Sequence, residues 1–165
     1  MSAVTAYVGL GANLQDPAAQ VRRALDELAS IPHSRLLSRS HLYKSPPLGP
    51  AGQPDYVNAV AALETTRAPL EFLAELRAIE TRHGRQRDGT RWGPRTLDLD
   101  ILLYGDRVMD TPELTLPHPG LHERAFVLYP LFDVAPELVV PGRGSVRELR
   151  ERLGAAHIQR LEPTP

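Results

Sequence analysis

Arg91-Trp92-Gly93-Pro94-Arg95-Thr96-Leu97-Asp98-Leu99-Asp100-Ile101-Leu102-Leu103-Tyr104 is the segment around which the rest of the chain arranges itself. Its second half reads as a strand, because Leu97, Leu99, Ile101 and Leu103 alternate with Asp98, Asp100, Leu102 and Tyr104, and successive strand side chains point to opposite faces. Asp98 and Asp100 therefore share a face, about 7 Å apart at a rise of about 3.3 Å per residue. Two carboxylates so placed repel each other, and a hard divalent cation relieves the repulsion. Mg2+ is commonly held by one or two carboxylates together with the phosphates of a substrate. Just upstream, Arg82, Arg85, Arg87, Arg91 and Arg95 crowd into one segment, so groups suited to phosphate stand beside the acidic pair. The alternative is an edge strand with two solvated aspartates next to an ordinary basic loop.

Composition narrows the classes. The 165 residues suit one domain, 1–165, with a sizeable core, and a net charge of -1 gives no reason to expect a nucleic-acid surface. There is no cysteine, hence neither a disulfide framework nor a thiol nucleophile. Residues 1–8 have no basic flank and no long apolar run, so neither a signal peptide nor a membrane span is expected, and the expected compartment is the cytoplasm. Eighteen arginines accompany a single lysine, Lys44. Ser45 follows Lys44, but Ser38 and Tyr43 stand where a phosphate-binding loop of the Walker type needs glycines, which excludes that loop. A nucleoside triphosphate would have to be held by arginine forks and metal.

Moving outward, residues 3–9 form a short apolar strand that runs into Gly9-Leu10-Gly11-Ala12-Asn13. A dinucleotide fingerprint would need its third glycine where Leu14 stands, so the two glycines are read as allowing a close backbone approach or a positive-φ turn. Asp16 is the expected cap of a helix beginning at Pro17, whose buried stripe is Val21, Ala24, Leu25 and Leu28. A second strand is expected over residues 34–43. Residues 45–54, with four prolines and two glycines, form a long loop, either a lid over a site or a plain connector. A third strand covers residues 56–65, with Tyr56, Asn58, Val60 and Ala62 on one face. The next helix buries Phe72, Leu73, Leu76 and Ile79, with Glu80 at the margin of that stripe and best matched by an arginine partner. Residues 84–91 form a second polar loop, and Gly105-Asp106 predicts a tight hairpin into Val108. The 117–119 Pro-His-Pro segment is stiff, a helix follows over about 121–131, and a short one is expected around 146–153. The order strand, helix, strand, strand, helix, strand predicts an α+β fold: a ferredoxin-like βαββαβ core with an antiparallel sheet, helices gathered on one face, and an added C-terminal extension.

The residues 91–102 resemble the signature of 6-hydroxymethyl-7,8-dihydropterin pyrophosphokinases, a family of folate synthesis. Three further segments carry the resemblance along nearly the whole chain: Tyr7-Val8-Gly9-Leu10-Gly11-Ala12-Asn13-Leu14, Ser45-Pro46-Pro47-Leu48-Gly49-Pro50 with Asp55-Tyr56-Val57-Asn58-Ala59, and Pro117-His118-Pro119. The resemblance implies transfer of pyrophosphate from ATP to the pterin hydroxymethyl group, with AMP released and two Mg2+ ions bridged by Asp98 and Asp100. It implies Arg85, Arg95, Asp98 and Asp100 as catalytic residues. Ser45, Pro46, Leu48, Tyr56, Asn58, Trp92, Asp98 and Phe126 would enclose the pterin. Arg77, Glu80, Arg87, Trp92, Arg95, Ile101, Thr115, His118 and Arg124 would contact ATP. The partners implied are the two substrates alone, with no nucleic acid or membrane, on a monomer. The residues by themselves allow duller readings: Tyr56, Trp92 and Phe126 as core aromatics, Asn58 as a hydrogen-bonded strand amide, His118 as a structural histidine. The sequence departs from some relatives at Arg77, Glu113 and Pro119, on the adenosine side.

Two other classes compete. A metal-dependent nuclease or nucleotidyltransferase would need a further acidic ligand on a neighbouring strand, for which Glu64 is the candidate. An RNA-binding module would want exposed aromatics at the centres of sheet strands, where this chain has aspartates and aliphatics.

Overall fold

A computed structural model describes residues 2–14, 16–46, 54–84, 97–154 and 158–161. Within them the chain runs β1 (Val4–Ala12), α1 (Pro17–Leu28), β2 (Ser34–Arg39), β3 (Tyr43–Ser45), β4 (Tyr56–Thr65), α2 (Pro69–Arg82) and β5 (Asp98–Tyr104). There follow β6 (Met109–Asp110), β7 (Thr115–Leu116), a 3-10 turn at Leu121–Glu123, α3 (Ala125–Val134), β8 (Val139–Val140), β9 (Gly144–Ser145), α4 (Val146–Leu153) and β10 (Gln159–Arg160). The architecture is α+β around an antiparallel sheet. β4 pairs with β1 and β1 with β5, β2 and β3 lie along the other edge of β4, and β10 adds to β3.

The strand expected over residues 34–43 is divided in two. Its register on β4 shifts between Leu36 and Ser38, and at the break Ser40 donates its N–H to Val60 O while its hydroxyl accepts the Val60 N–H, both at 2.8 Å. A side-chain oxygen thus replaces a ladder carbonyl, and the chain can swerve without stranding a buried backbone group. Asp16 occupies the cap position of α1 but in a left-handed conformation (φ 60°), with no side-chain cap bond; its carbonyl accepts the Gln20 N–H instead. The expected hairpin from Gly105 also differs. The Gly105 N–H bonds Thr5 O at 2.8 Å, keeping that residue in line with β1, and β6 pairs with β7 rather than with β5.

The sheet is covered on both faces. Val8, Leu10, Ala61, Leu63, Leu99 and Ile101 pack beneath Val21, Leu25 and Leu28 of α1 and Phe72, Leu76 and Ile79 of α2. On the opposite face Val60, Leu102 and Leu103 pack against Leu121, Leu128 and Leu131 and, from the chain's end, Val140, Val146 and Leu149. The expectation of helices on one face therefore holds for α1 and α2 only; apolar Val60 and Leu102 also need cover, which α3 and α4 supply. One irregularity lies in β5. Tyr7 stands opposite Leu103 and Val8 opposite Ile101, so Leu102 is an extra residue, and the alternation expected through Tyr104 reverses there. Leu103 consequently joins Tyr7, and Tyr104 turns into the first core.

Candidate active site

The sheet register explains why the Gly-x-Gly and Asp-x-Asp motifs belong together. Gly11 lies between Asn58 of β4 and Asp98 of β5, and Gly9 between Val60 and Asp100. Directly paired strand residues share a face, so both aspartates emerge on one side of the sheet with a glycine floor beside them. Neither glycine adopts a positive φ; close approach is their reason. A Cβ on Gly11 would come within 3.0 Å of Asn58 Nδ2, and one on Gly9 within 3.3 Å of the Leu102 side chain.

Asn58 is buried, and the Ser45 hydroxyl donates to its Oδ1 at 2.7 Å. That bond directs the amide nitrogen across Gly11 toward the cleft, where it can donate to a ligand edge. Ser45 ends β3 opposite Tyr56, and Asn58 lies two residues into β4 opposite Tyr43, so the pair is held by the same short ladder. Tyr56, Phe126 and Val127 supply apolar walls, and the cleft, mouth included, measures about 710 Å3.

His118 and Arg124 line the same cleft, with the Arg124 guanidinium over the Phe126 ring at 5.8 Å. The His118 N–H bonds Leu102 O at 2.9 Å, and its Nδ1 accepts the Gly120 N–H at 3.2 Å. An accepting Nδ1 leaves the proton on Nε2, making the neutral ring a hydrogen-bond donor. Burial pushes the His118 pKa down to about 4, the Arg124 guanidinium pushes the same way, the Asp98 carboxylate opposes, and Arg143 adds a further lowering. Arg124 lies against the backbone of Gly120, where a Cβ would fall 2.5 Å from its Nε.

α2 reaches the site from beneath. β5 terminates the sheet, and its outer edge would be open at Leu99, the residue between the two aspartates. There Glu80 Oε2 accepts the Leu99 N–H at 2.8 Å and Arg77 Nη1 donates to Leu99 O at 2.9 Å, while the two side chains bond each other at 3.0 Å. Glu80 has the arginine partner that its place on the helix called for. It lines neither cavity among the described residues, and its carboxylate is directed to Arg77 and Leu99. Arg77, Asp100, Ile101, Thr115 and His118 line a second recess beyond β5 with Thr111, Glu113 and Pro119.

The donor set suits magnesium. Among the described residues no third carboxylate, histidine or cysteine joins Asp98 and Asp100 in a metal-binding cluster. Among the described residues the pair offers two hard oxygen ligands, a set that would leave positions for water and substrate as Mg2+ sites commonly do. Glu64 does not complete the pair, since it lies near the far end of β4, half exposed and bonded to Arg35 at 3.4 Å.

Of the anticipated ring-binding residues, Ser45, Pro46, Tyr56, Asn58, Asp98 and Phe126 line one cleft together with Asp100, His118 and Arg124. Leu48, Arg85, Arg87, Trp92 and Arg95 lie outside the described residues, as do the central parts of both expected loops. Sequence reasoning did not single out Val127, Leu102 or Arg143. Strand alternation already placed Leu102 on the face of Asp98 and Asp100, Val127 depends on how α3 docks, and Arg143 carries no local motif. No helix among the described residues is long and apolar enough to cross a membrane.

A glycine-floored cleft that sets an acidic pair, a donor histidine and an arginine beside aromatic walls defines a class, that of α+β enzymes handling phosphate next to a flat polar ligand. The family model described as 7,8-dihydro-6-hydroxymethylpterin-pyrophosphokinase (HPPK) matches residues 7–136. The 2-amino-4-hydroxy-6-hydroxymethyldihydropteridine pyrophosphokinase of Pseudomonas aeruginosa is 52% identical over 159 residues, 96% of each chain. Its Haemophilus influenzae counterpart is 46% identical over 160 residues, 97% of this chain and 99% of that one. A Plasmodium falciparum HPPK-DHPS crystal structure superposes with a TM-score of 0.72 over 92% of this chain at 14% identity, a likeness of fold; this chain spans 45% of that longer one. The chain belongs to the 7,8-dihydro-6-hydroxymethylpterin-pyrophosphokinase family and is an enzyme of that kind.

Proposed function

We propose that this enzyme, a single domain over residues 1–165 with a ferredoxin-like core and a C-terminal extension, transfers pyrophosphate from ATP to 6-hydroxymethyl-7,8-dihydropterin in folate biosynthesis. The hydroxymethyl oxygen bonds to the β-phosphorus and gives up its proton to solvent as the bridge to the α-phosphate breaks, and AMP leaves with the bridging oxygen. Such transfers depend on alignment and charge stabilisation rather than on a covalent enzyme intermediate. The pterin ring lies between Tyr56 and Phe126, its edge read by the Asn58 amide that Ser45 orients. Neutral His118 donates from Nε2, and Arg124 supplies fixed positive charge toward the phosphates. Asp98 and Asp100 would hold Mg2+, two ions by analogy with the family, which when bound would polarise the phosphoryl oxygens. Arg85 and Arg95 are assigned to neutralise developing charge, and Arg77, Arg87, Trp92, Ile101 and Thr115 to the nucleotide; Glu80 is assigned to hold Arg77. The ferredoxin-like reading is supported by the strand order, with β4 and β1 central and β5 at one end.

The observation that carries this reading is the common face of Asp98 and Asp100 over the glycine floor, in one cleft with the ring-binding and phosphate-facing groups. The test is AMP release in Mg2+ and ATP, with and without the pterin alcohol. Release should require the alcohol and should fall by roughly a hundredfold or more in Asp98→Ala and Asp100→Ala, with the fold intact by circular dichroism. Pterin-independent release, or full activity in either variant, rules the reading out.

A further inference from the structure

The C-terminal extension reaches the nucleotide end of the site through one side chain. β8 and β9 form a small hairpin whose turn carries Gly142 (φ 74°) and Gly144 (φ 112°) around Arg143, and Arg143 N–H closes the turn on Val140 O at 3.0 Å. The hairpin is rooted in the second core by Val140 and Val146. From this base Arg143 Nη1 donates to His118 O at 2.6 Å, across 25 residues of sequence. Pro119 contributes no N–H, so the His118 carbonyl is the only hydrogen-bonding group of that peptide, and Arg143 takes it. Among the described residues Arg143 has no carboxylate partner, whereas Arg147 of the same extension pairs with Glu137 at 2.8 Å.

We propose that Arg143 is a positioning residue for the nucleotide end of the cleft: it fixes the His118 peptide so that the imidazole Nε2–H faces the phosphates. The inference rests on the functional reading above. His118 is held at three points. Leu102 O accepts its N–H and the Gly120 N–H donates to its Nδ1, both from nearby backbone; the third, Arg143, comes from the extension alone. A guanidinium-to-carbonyl bond at this length is charge-assisted and directional, and it is half shielded from water. Removing it frees the peptide to rotate, and the ring donor with it.

The experiment measures binding of Mg2+ with α,β-methylene-ATP by calorimetry, and AMP-release kinetics, in the full chain. Arg143→Met should weaken analogue binding and raise KM for ATP by about tenfold, with KM for the pterin alcohol and kcat changed by less than about threefold. Arg143→Lys should recover most of the loss. In a His118→Ala background Arg143→Met should add less than about twofold, because the effect acts through His118. A long-range 1H–15N spectrum should report the Nε2-protonated tautomer of His118 in the wild type and a mixture in Arg143→Met. Unchanged analogue binding in Arg143→Met, the same tenfold loss surviving in His118→Ala, or equal losses for both substrates with a lowered Tm would overturn the proposal. Should Arg143→Met not fold, Arg143→Gln decides by its spectrum and analogue binding: a changed tautomer balance with weakened binding upholds the proposal, and wild-type values of both defeat it. If the wild type releases no AMP with the pterin alcohol while analogue binding still depends on Arg143 through His118, the functional reading falls and this one stands.

Discussion

Replacing Glu80 tests the link between α2 and the acidic pair. Its side chain is 2% exposed, and it is the acceptor for the N–H of fully buried Leu99. In Glu80→Ala that N–H is stranded, at about 1–3 kcal/mol. Arg77 loses its carboxylate partner but keeps Leu99 O, and with its side chain 34% exposed the guanidinium can rehydrate, so this part adds about 1 kcal/mol at most. The sum is about 3 kcal/mol, which for a domain of this size lowers Tm by roughly 6–12 °C. Glu80→Gln retains an acceptor for Leu99 and similar volume, and should cost about 1 kcal/mol. Urea unfolding followed by circular dichroism at neutral pH gives both values. Arg77→Met completes a double-mutant cycle in which the two losses should not add, since both side chains act on the same peptide edge. A loss below about 1 kcal/mol in Glu80→Ala, or strict additivity with Arg77→Met, would refute the claim that this pair pins β5.

Two further outcomes concern His118 and Gly120. The folded protein keeps His118 neutral down to about pH 4, while the unfolded chain takes up that proton near its ordinary value of 6.5. Above that value the group contributes nothing to the pH dependence; between the two the unfolded state binds more proton and stability falls. His118→Gln should therefore show a flatter decline in urea midpoint from about pH 7 to about pH 4.5, and parallel curves would refute the assignment. Gly120 has φ -99°, which alanine tolerates, but a Cβ would lie 2.5 Å from Arg124 Nε. Gly120→Ala should displace that guanidinium and raise KM for ATP by about tenfold with Tm nearly unchanged, and an unaltered KM would show that Arg124 acts elsewhere.

Period-based reasoning works where one element alone determines burial. β4 occupies residues 56–65, the span that alternation predicts, and the α1 stripe of Val21, Ala24, Leu25 and Leu28, predicted from helical spacing, is buried. It fails where a neighbour intervenes. The division of the second strand depends on Ser40 meeting Val60, the reversal at Leu102 on a bulge against β1, and the absence of a β5 hairpin on Gly105 bonding Thr5. None of those partners is close in sequence.

By itself the sequence determined that Asp98 and Asp100 share a face and that a phosphate-binding loop of the Walker type is excluded, because strand alternation and residue spacing are local properties. It also marked Gly9 and Gly11 as places of either close approach or a positive-φ turn, and the structure shows close approach. Only the tertiary structure decided what approaches them, that Glu80 and Arg77 close the edge of β5 and that Arg143 reaches His118, because register and docking are set by packing between segments far apart along the chain.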